Sequence, residues 1–238
     1  MEELELKKKY LLIALSALCV GVAAIGGTMA AKSDKGVSIT AEISEKTIGV
    51  KADKTVTNGL SAMPGAQEDV HYNLLNDGGA SNGTRTDKGS YDIYAKVDVY
   101  FDWTQNENSK SKYGKLDDIN YIKLFMEDNV IPEVDAYEQQ EKIGDWIVAY
   151  NKGNQLTMYY TKPLKEEQKT SDFISKIAFD TAMDNKYADA KLEISTDVSA
   201  VQADSADAAF ATEWGVFPNF IESTNGIKVL DSISENAQ

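Results

Sequence analysis

The chain has 238 residues, of which 26% are charged and 42% are hydrophobic, and its formal net charge is −14. This composition is typical of a globular protein and excludes a disordered or fibrous low-complexity chain. Nucleic acid and anionic membrane surfaces repel so negative a chain, so we expect neither to be a partner of the folded protein.

The N-terminal residues have the layout of an export signal. Three lysines, 7–9, precede an uncharged run, 10–31, that is rich in Leu, Ala, Val and Gly. A retained transmembrane helix is the alternative, because about 20 apolar residues suffice to span a bilayer. The run ends in small residues, GGTMAA at 26–31, which suit an extended peptide in a signal-peptidase cleft better than a helix in lipid. We predict that signal peptidase cuts after Ala30 or Ala31, and that the protein touches a membrane only through the uncleaved signal.

The single cysteine, Cys19, lies inside the apolar run. The bulky Leu18 before it is unlike a lipoprotein box, so we expect no lipid anchor. Once the signal is removed, the mature chain has no thiol and holds neither a disulfide nor a cysteine-ligated metal. We expect a secreted protein of the extracellular matrix or cell surface.

Alternation of apolar and polar residues dominates from residue 37 onward and predicts a largely β protein. In residues 90–103 every odd position from Tyr91 is apolar or aromatic, while the even positions include Asp92, Lys96 and Asp98, as in a strand with one wet face. Similar alternation predicts strands at 37–43, 70–74 and 190–200, and continuous apolar runs predict strands buried on both faces at 121–126, 146–150, 156–160 and 173–179. The pattern predicts a β-sandwich with short helical insertions, formed as one domain by residues 32–238 after a signal peptide of residues 1–31.

Turn residues separate these strands. The sequence NKGN at 151–154 predicts a hairpin between two of the apolar runs. Two short helices are predicted, at 132–142 with proline at its first position, and at 205–214 with a serine cap and a glycine just beyond. The polar stretch 104–115 is predicted to be an exposed loop.

No pattern of catalytic or metal-binding residues is readable in the sequence. The one histidine, His71, falls on the polar side of its strand, without a second histidine, a cysteine or a nucleophile motif near it in the sequence. We therefore expect an exposed strand histidine without a partner, no cofactor, no metal site and no enzyme activity. Tyrosine is abundant, with 12 residues, which favours cross-strand packing and leaves a glycan-binding face as an alternative.

Three stretches together resemble the TasA/camelysin family of secreted matrix proteins. The first is the junction GGTMAA followed by KSD, and the second is MPGA at 63–66 leading into VHYNLLNDG at 70–78. The third and most specific begins with YYTKPL at 159–164 and ends with AVQ at 200–202. The chain departs from the family at Lys32, where an aromatic residue is usual, and at Glu166 or Glu167, where a glycine is expected.

The resemblance implies a jelly-roll or immunoglobulin-like sandwich that is exported and, in several members of the family, polymerises into biofilm fibres. In such a fibre, a donor strand freed by cleavage completes a neighbouring subunit. In this sequence the predicted donor residues alternate along one side of an extended strand: Val37, Ile39, Ala41 and Ile43. The alternatives are a monomeric cell-surface module that binds glycan or protein, and, because camelysin is described as a protease, a secreted peptidase.

Overall fold

The computed structural model of the chain describes residues 31–33, 50–54, 60–61, 63–78, 91–113, 116, 120–187 and 189–235. Within these residues the protein is all-β, because strands paired in antiparallel sheets dominate and helices are few and short. The predicted fold class is confirmed at this level.

The larger sheet contains both of the longest strands. Its described strands are β1 (Ala31–Ser33), β3 (Leu60–Ser61), β5 (Ile93–Thr104), β8 (Glu141–Ile143), β9 (Trp146–Lys152), β10 (Gln155–Tyr160) and β12 (Lys191–Gln202). They follow the order β1-β12-β5-β10-β9-β8, and β3 also pairs with β12. β12 and β5 pair along their whole length, from Lys191 opposite Thr104 to Gln202 opposite Ile93.

The smaller sheet is also antiparallel. Its described strands are β2 (Val50–Lys54), β4 (Gln67–Asn76), β6 (Ile122–Met126), β7 (Asn129–Val130) and β11 (Ile174–Phe179), in the order β2-β4-β11-β6-β7. One hydrophobic cluster contains buried side chains from both sheets, so the inner faces of the two sheets pack on each other. Trp146 of β9 lies at this junction, with its ring 5.5 Å from that of Phe173, and donates a hydrogen bond to the carbonyl oxygen of Ser171.

A third layer covers one end of the larger sheet on its outer face. It consists of helix α2 (Ala206–Ala209), a π-helical turn (Phe210–Trp214), and a hairpin of β13 (Phe217–Glu222) and β14 (Lys228–Ser234). Tyr94 and Tyr159 of the sheet, Phe210 of the turn and Leu230 of the hairpin form a second buried cluster with their neighbours. β9 and β10 are therefore buried on both faces, as their continuous apolar sequences predicted.

Most of the predicted strands that fall within the described residues are confirmed. The strands predicted at 90–103, 70–74 and 190–200 are β5, β4 and β12, and the hairpin predicted at 151–154 joins β9 to β10. The run at 121–126 forms β6, but the expectation that both its faces are buried is wrong. Lys123 is exposed and Phe125 only half-buried, because no described layer covers the outer face of the smaller sheet there.

The helix predicted at 132–142 is wrong. Within this stretch only Tyr137–Gln139 is helical, as a short 3₁₀ turn. Residues 141 and 142, the last two of the predicted helix, belong to strand β8. Asn151 of β9 holds the first part extended, because its backbone exchanges two hydrogen bonds with Val134, at 3.1 and 2.7 Å, and its side chain donates to the carbonyl of Pro132. Pairing with a neighbouring strand overrides the local helix signals.

The loop predicted at 104–115 is also wrong, because helix α1 (Glu107–Tyr113) forms there. Asn106 caps it, accepting a hydrogen bond from the Ser109 amide at its side-chain oxygen, 2.8 Å away.

At 205–214 a helical segment is present and ends at Gly215, whose φ of 68° is the left-handed conformation that favours glycine. The predicted serine cap is wrong, because the Ser205 side chain makes no capping hydrogen bond.

Candidate functional site: the outer edge of β12

The outer edge of β12 is where the start of the predicted mature chain meets the folded sheet. On its inner side β12 pairs with β5 throughout, whereas on its outer side it pairs with two short strands. β3 lies opposite Lys191 and Leu192, and β1 lies opposite the stretch from Val198 to Ala200. The strand beside β12 is thus assembled from two separate parts of the chain.

Between these two short strands, the outer side of residues 193–196 pairs with no described strand. Side chains alternate here: Ile194 belongs to the main core, while Glu193 and Ser195 are exposed. An extended segment entering at this position would add hydrogen bonds to the sheet and place every second side chain over the core.

Of the predicted site residues, only Ala31 lies within the described part of the chain. Ala31 begins β1 and lies opposite Ala200. The other cleavage residue, Ala30, and the four predicted donor residues, Val37, Ile39, Ala41 and Ile43, lie outside the described residues.

The outer face of the larger sheet is acidic beside this edge. Asp98 of β5 lies directly opposite Asp197 of β12, accepts a 2.6 Å hydrogen bond from the Thr157 hydroxyl and forms a 2.8 Å ion pair with Lys96. Lys96 offsets the repulsion between the two carboxylates. Partial burial, together with these carboxylates, raises the pKa of Tyr100.

The exposure of Tyr100 is relevant to the alternative that a tyrosine-rich face of the protein binds glycans. Tyr100 is 39% exposed. Among the tyrosines whose side-chain exposure the structure describes, it is the only one with an exposed side chain. Tyr94, Tyr159 and Tyr160 are buried, and the first two pack in the second cluster against Phe210. The tyrosines therefore serve mainly in packing.

His71 does have a partner, so the expectation from the sequence is wrong on this point. Its Nδ1 atom lies 2.7 Å from Oδ2 of Asp172, whose other carboxylate oxygen accepts a 2.9 Å hydrogen bond from Asn73. The pairing of β4 with β11 brings together residues about 100 positions apart, which sequence spacing does not reveal. The His71 side chain is 63% exposed, and no group of three or more potential metal ligands occurs among the described residues.

An open cleft lies at the opposite edge of the sandwich, between the β6–β7 hairpin and the β9–β10 turn. Its apolar part includes Phe101, Leu124 and Ile131, and lysines 123 and 152 lie at its rim. Its volume of about 200 Å³ is below the range of about 300–1,000 Å³ that is usual for pockets that bind small molecules. The cleft therefore gives little support to a small-molecule site.

No protein-family model, curated protein or solved structure matches this chain. In the part of the chain that the structure describes, none of the helices has the length and apolar character needed to cross a bilayer.

Proposed function

We propose that this chain is an exported structural subunit of the extracellular, biofilm-type matrix, and that it assembles into fibres by exchanging its N-terminal strand with neighbouring subunits. One observation supports this proposal above the others. The first residues after the predicted cleavage site form an edge strand on β12, next to a stretch of β12 whose outer side pairs with no described strand.

The register of β1 predicts how a donor strand would fit. In this ladder the numbers of opposing residues add up to 231, as for Ala31 and Ala200. A strand that continues in the same register puts Val37 opposite Ile194, over the core, and Ser38 opposite Glu193, on the wet side. Because side chains alternate along a strand, Ile39, Ala41 and Ile43 then lie on the same face of the strand as Val37.

Ile39 would face Leu192, the position that Leu60 of β3 now occupies. Because β3 has only two residues in its ladder, little pairing is lost when an incoming strand takes its place. The donor segment thus offers one apolar side chain for the stretch of β12 that pairs with no described strand and a second for the place of Leu60.

Exchange of an edge strand between identical subunits costs little, because the new contacts repeat the old ones. Each subunit then gives its N-terminal strand to one neighbour and receives a strand from another. Such a head-to-tail arrangement builds an open filament unless its rotation closes a ring.

We further propose a jelly-roll or immunoglobulin-like arrangement of the strands, membership of the TasA/camelysin family, and secretion after removal of the signal. Two antiparallel sheets around one core support the first of these. The family and the location depend on the resemblance and the signal-like N-terminus. Signal peptidase is the proposed processing partner, self-association the proposed working state, and enzyme activity is not expected.

The direct test is negative-stain electron microscopy of the purified mature chain, with its N-terminal residue determined by mass spectrometry. We expect filaments and a chain that starts at Ala31 or Lys32. Monodisperse single particles under all conditions of salt and concentration would argue instead for a monomeric surface module.

A further inference from the structure

We propose that folding closes the signal-peptide junction to signal peptidase, so that cleavage has to come before β1 pairs with β12. The inference rests on the proposed export signal and adds a mode of regulation to it. A subunit that folds too early would keep its signal and stay tethered to the membrane.

The junction and the sheet edge share the same residues. Cleavage after Ala30 or Ala31 means that the bond cut is the one before or the one after Ala31. In the folded protein, Ala31 lies opposite Ala200 and Lys32 lies opposite Ser199 in the antiparallel ladder. The described part of the folded sheet therefore includes a residue of the junction itself.

A peptidase requires the segment around the bond to be extended and available along its backbone. Peptides commonly bind in this way by adding a strand to an exposed edge, which uses the backbone N–H and C=O groups of the substrate. In β1, β12 already engages one side of this backbone. Cleavage of the folded protein thus depends on the fraction of molecules in which β1 is transiently open.

The peptidase and β12 thus compete for the same backbone, and the position of the membrane favours β12 in this competition. The uncharged run, 10–31, ends at Ala31 and is about as long as a segment that spans a bilayer. In the uncut protein, Ala31 would therefore lie at the membrane surface while also anchoring the sheet edge. Hydrolysis adds one water across the bond, leaving a carboxylate on Ala30 or Ala31 and an ammonium group on the next residue. The folded domain is then no longer attached to the membrane.

An engineered disulfide tests the inference in the full-length protein. Lys32→Cys with Ser199→Cys links β1 to β12 at directly opposed positions, and Cys19→Ser removes the natural thiol. The matched control links β3 to the same edge through Ser61→Cys with Lys191→Cys, also directly opposed. Each protein is purified in detergent, oxidised or reduced, and incubated with purified type I signal peptidase, and mass spectrometry identifies the bond that is cut.

We expect oxidation of the β1 pair to slow cleavage at least about tenfold, equivalent to about 1.4 kcal/mol, and oxidation of the control pair to leave the rate unchanged. A second variant, Ser33→Pro, weakens β1 without a disulfide because proline donates no backbone hydrogen bond, and it should be cut faster than the natural sequence. Equal rates for the oxidised and reduced β1 pair would overturn the inference and leave the export signal intact. If even Ser33→Pro is never cut after Ala30 or Ala31, the export signal itself is wrong, and the inference falls with it.

Discussion

Ala31 lies directly opposite Ala200, so a residue at which the signal is predicted to end is already paired in the larger sheet. The proposed processing of the N-terminus and the proposed exchange of its strand would therefore involve the same edge of the sheet. The stability of the remainder of the sandwich depends on other contacts.

The side chain of Asn76 connects three segments of the fold. It is fully buried, donates to the carbonyls of Tyr91 and Leu164 at 3.1 and 2.9 Å, and accepts from the amide of Gly78 at 3.1 Å. Asn76→Ala removes all three hydrogen bonds, and we expect the free energy of unfolding to fall by about 3 kcal/mol.

Urea denaturation monitored by circular dichroism measures this loss. Asn219→Ala is the control, because the exposed Asn219 side chain makes one hydrogen bond, to Ser232, and its removal should cost less than about 0.5 kcal/mol. Equal losses for the two variants would show that Asn76 does not connect the segments as described.

Buried tyrosines predict a loss of stability at alkaline pH. Burial raises the pKa of Tyr72 to about 12, from an ordinary value of 10.0, and also raises the pKa of Tyr94 and Tyr159. Above pH 10 the unfolded chain releases these protons more readily than the folded one, so stability is fully present below pH 10 and declines as the pH rises through about 12.

Urea titrations at several pH values between 9 and 12 measure this decline. Tyr72→Phe removes one of the titrating groups, and its free energy of unfolding should therefore fall less steeply with pH than that of the natural sequence. An identical slope for both proteins would mean that Tyr72 ionises as easily in the folded state as in the unfolded state.

Gln140 holds the C-terminal hairpin to the larger sheet. Its side chain mimics a neighbouring strand, donating to the carbonyl of Ile233 at 2.7 Å and accepting from the amide of the same residue at 2.9 Å. Gln140→Ala should make local opening of β14 easier by about 1–2 kcal/mol, so the Ile233 amide should exchange with deuterium about tenfold faster.

Hydrogen exchange read by NMR resolves this single amide. Gln155→Ala removes a glutamine whose side chain bonds to Thr157, away from the hairpin, and should leave Ile233 unchanged. If exchange at Ile233 is the same in all three proteins, the hairpin is held by its apolar contacts alone.

The His71–Asp172 pair lies at the surface, with the His71 side chain 63% exposed. We expect the folded protein to show no peptidase activity above background, with or without added zinc, and His71→Ala to leave that result unchanged. An exposed pair of this kind contributes up to about 1 kcal/mol to stability, so the substitution should also have little effect on unfolding. Turnover of a peptide substrate that His71→Ala or Asp172→Asn abolishes would restore the peptidase alternative.

The sequence predicted strands well where one face is wet, because alternation such as that of β5 is visible without knowledge of the partner strand. It did not predict β13, where Pro218 interrupts the pattern and a register shift follows Asn219, and where burial depends on the second cluster. Similarly, the extended course of Val134 depends on Asn151, and the partner of His71 lies in a distant segment. These features arise from contacts between remote parts of the chain, which local patterns do not encode.

Likewise, the sequence alone indicated the cleavage residues and the donor alternation, but the edge that they meet became visible only in the fold. The position of β1 on β12 is set by the ladder, and the stretch at 193–196 that pairs with no described strand lies between the residues opposite β3 and those opposite β1. Spacing along the chain contains neither piece of information.

Electron microscopy of two matched variants of the mature chain tests strand exchange most directly. Val37→Asn places an amide over the core, opposite Ile194, where burial without a partner costs about 1–3 kcal/mol, whereas Ser38→Asn places the same group on the wet side, opposite Glu193. We predict that Val37→Asn abolishes filaments while its circular dichroism remains that of a folded β protein, and that Ser38→Asn forms filaments like the natural sequence. Filaments of normal length from Val37→Asn, or a Val37→Asn subunit that no longer folds, would contradict the exchange of this strand between subunits.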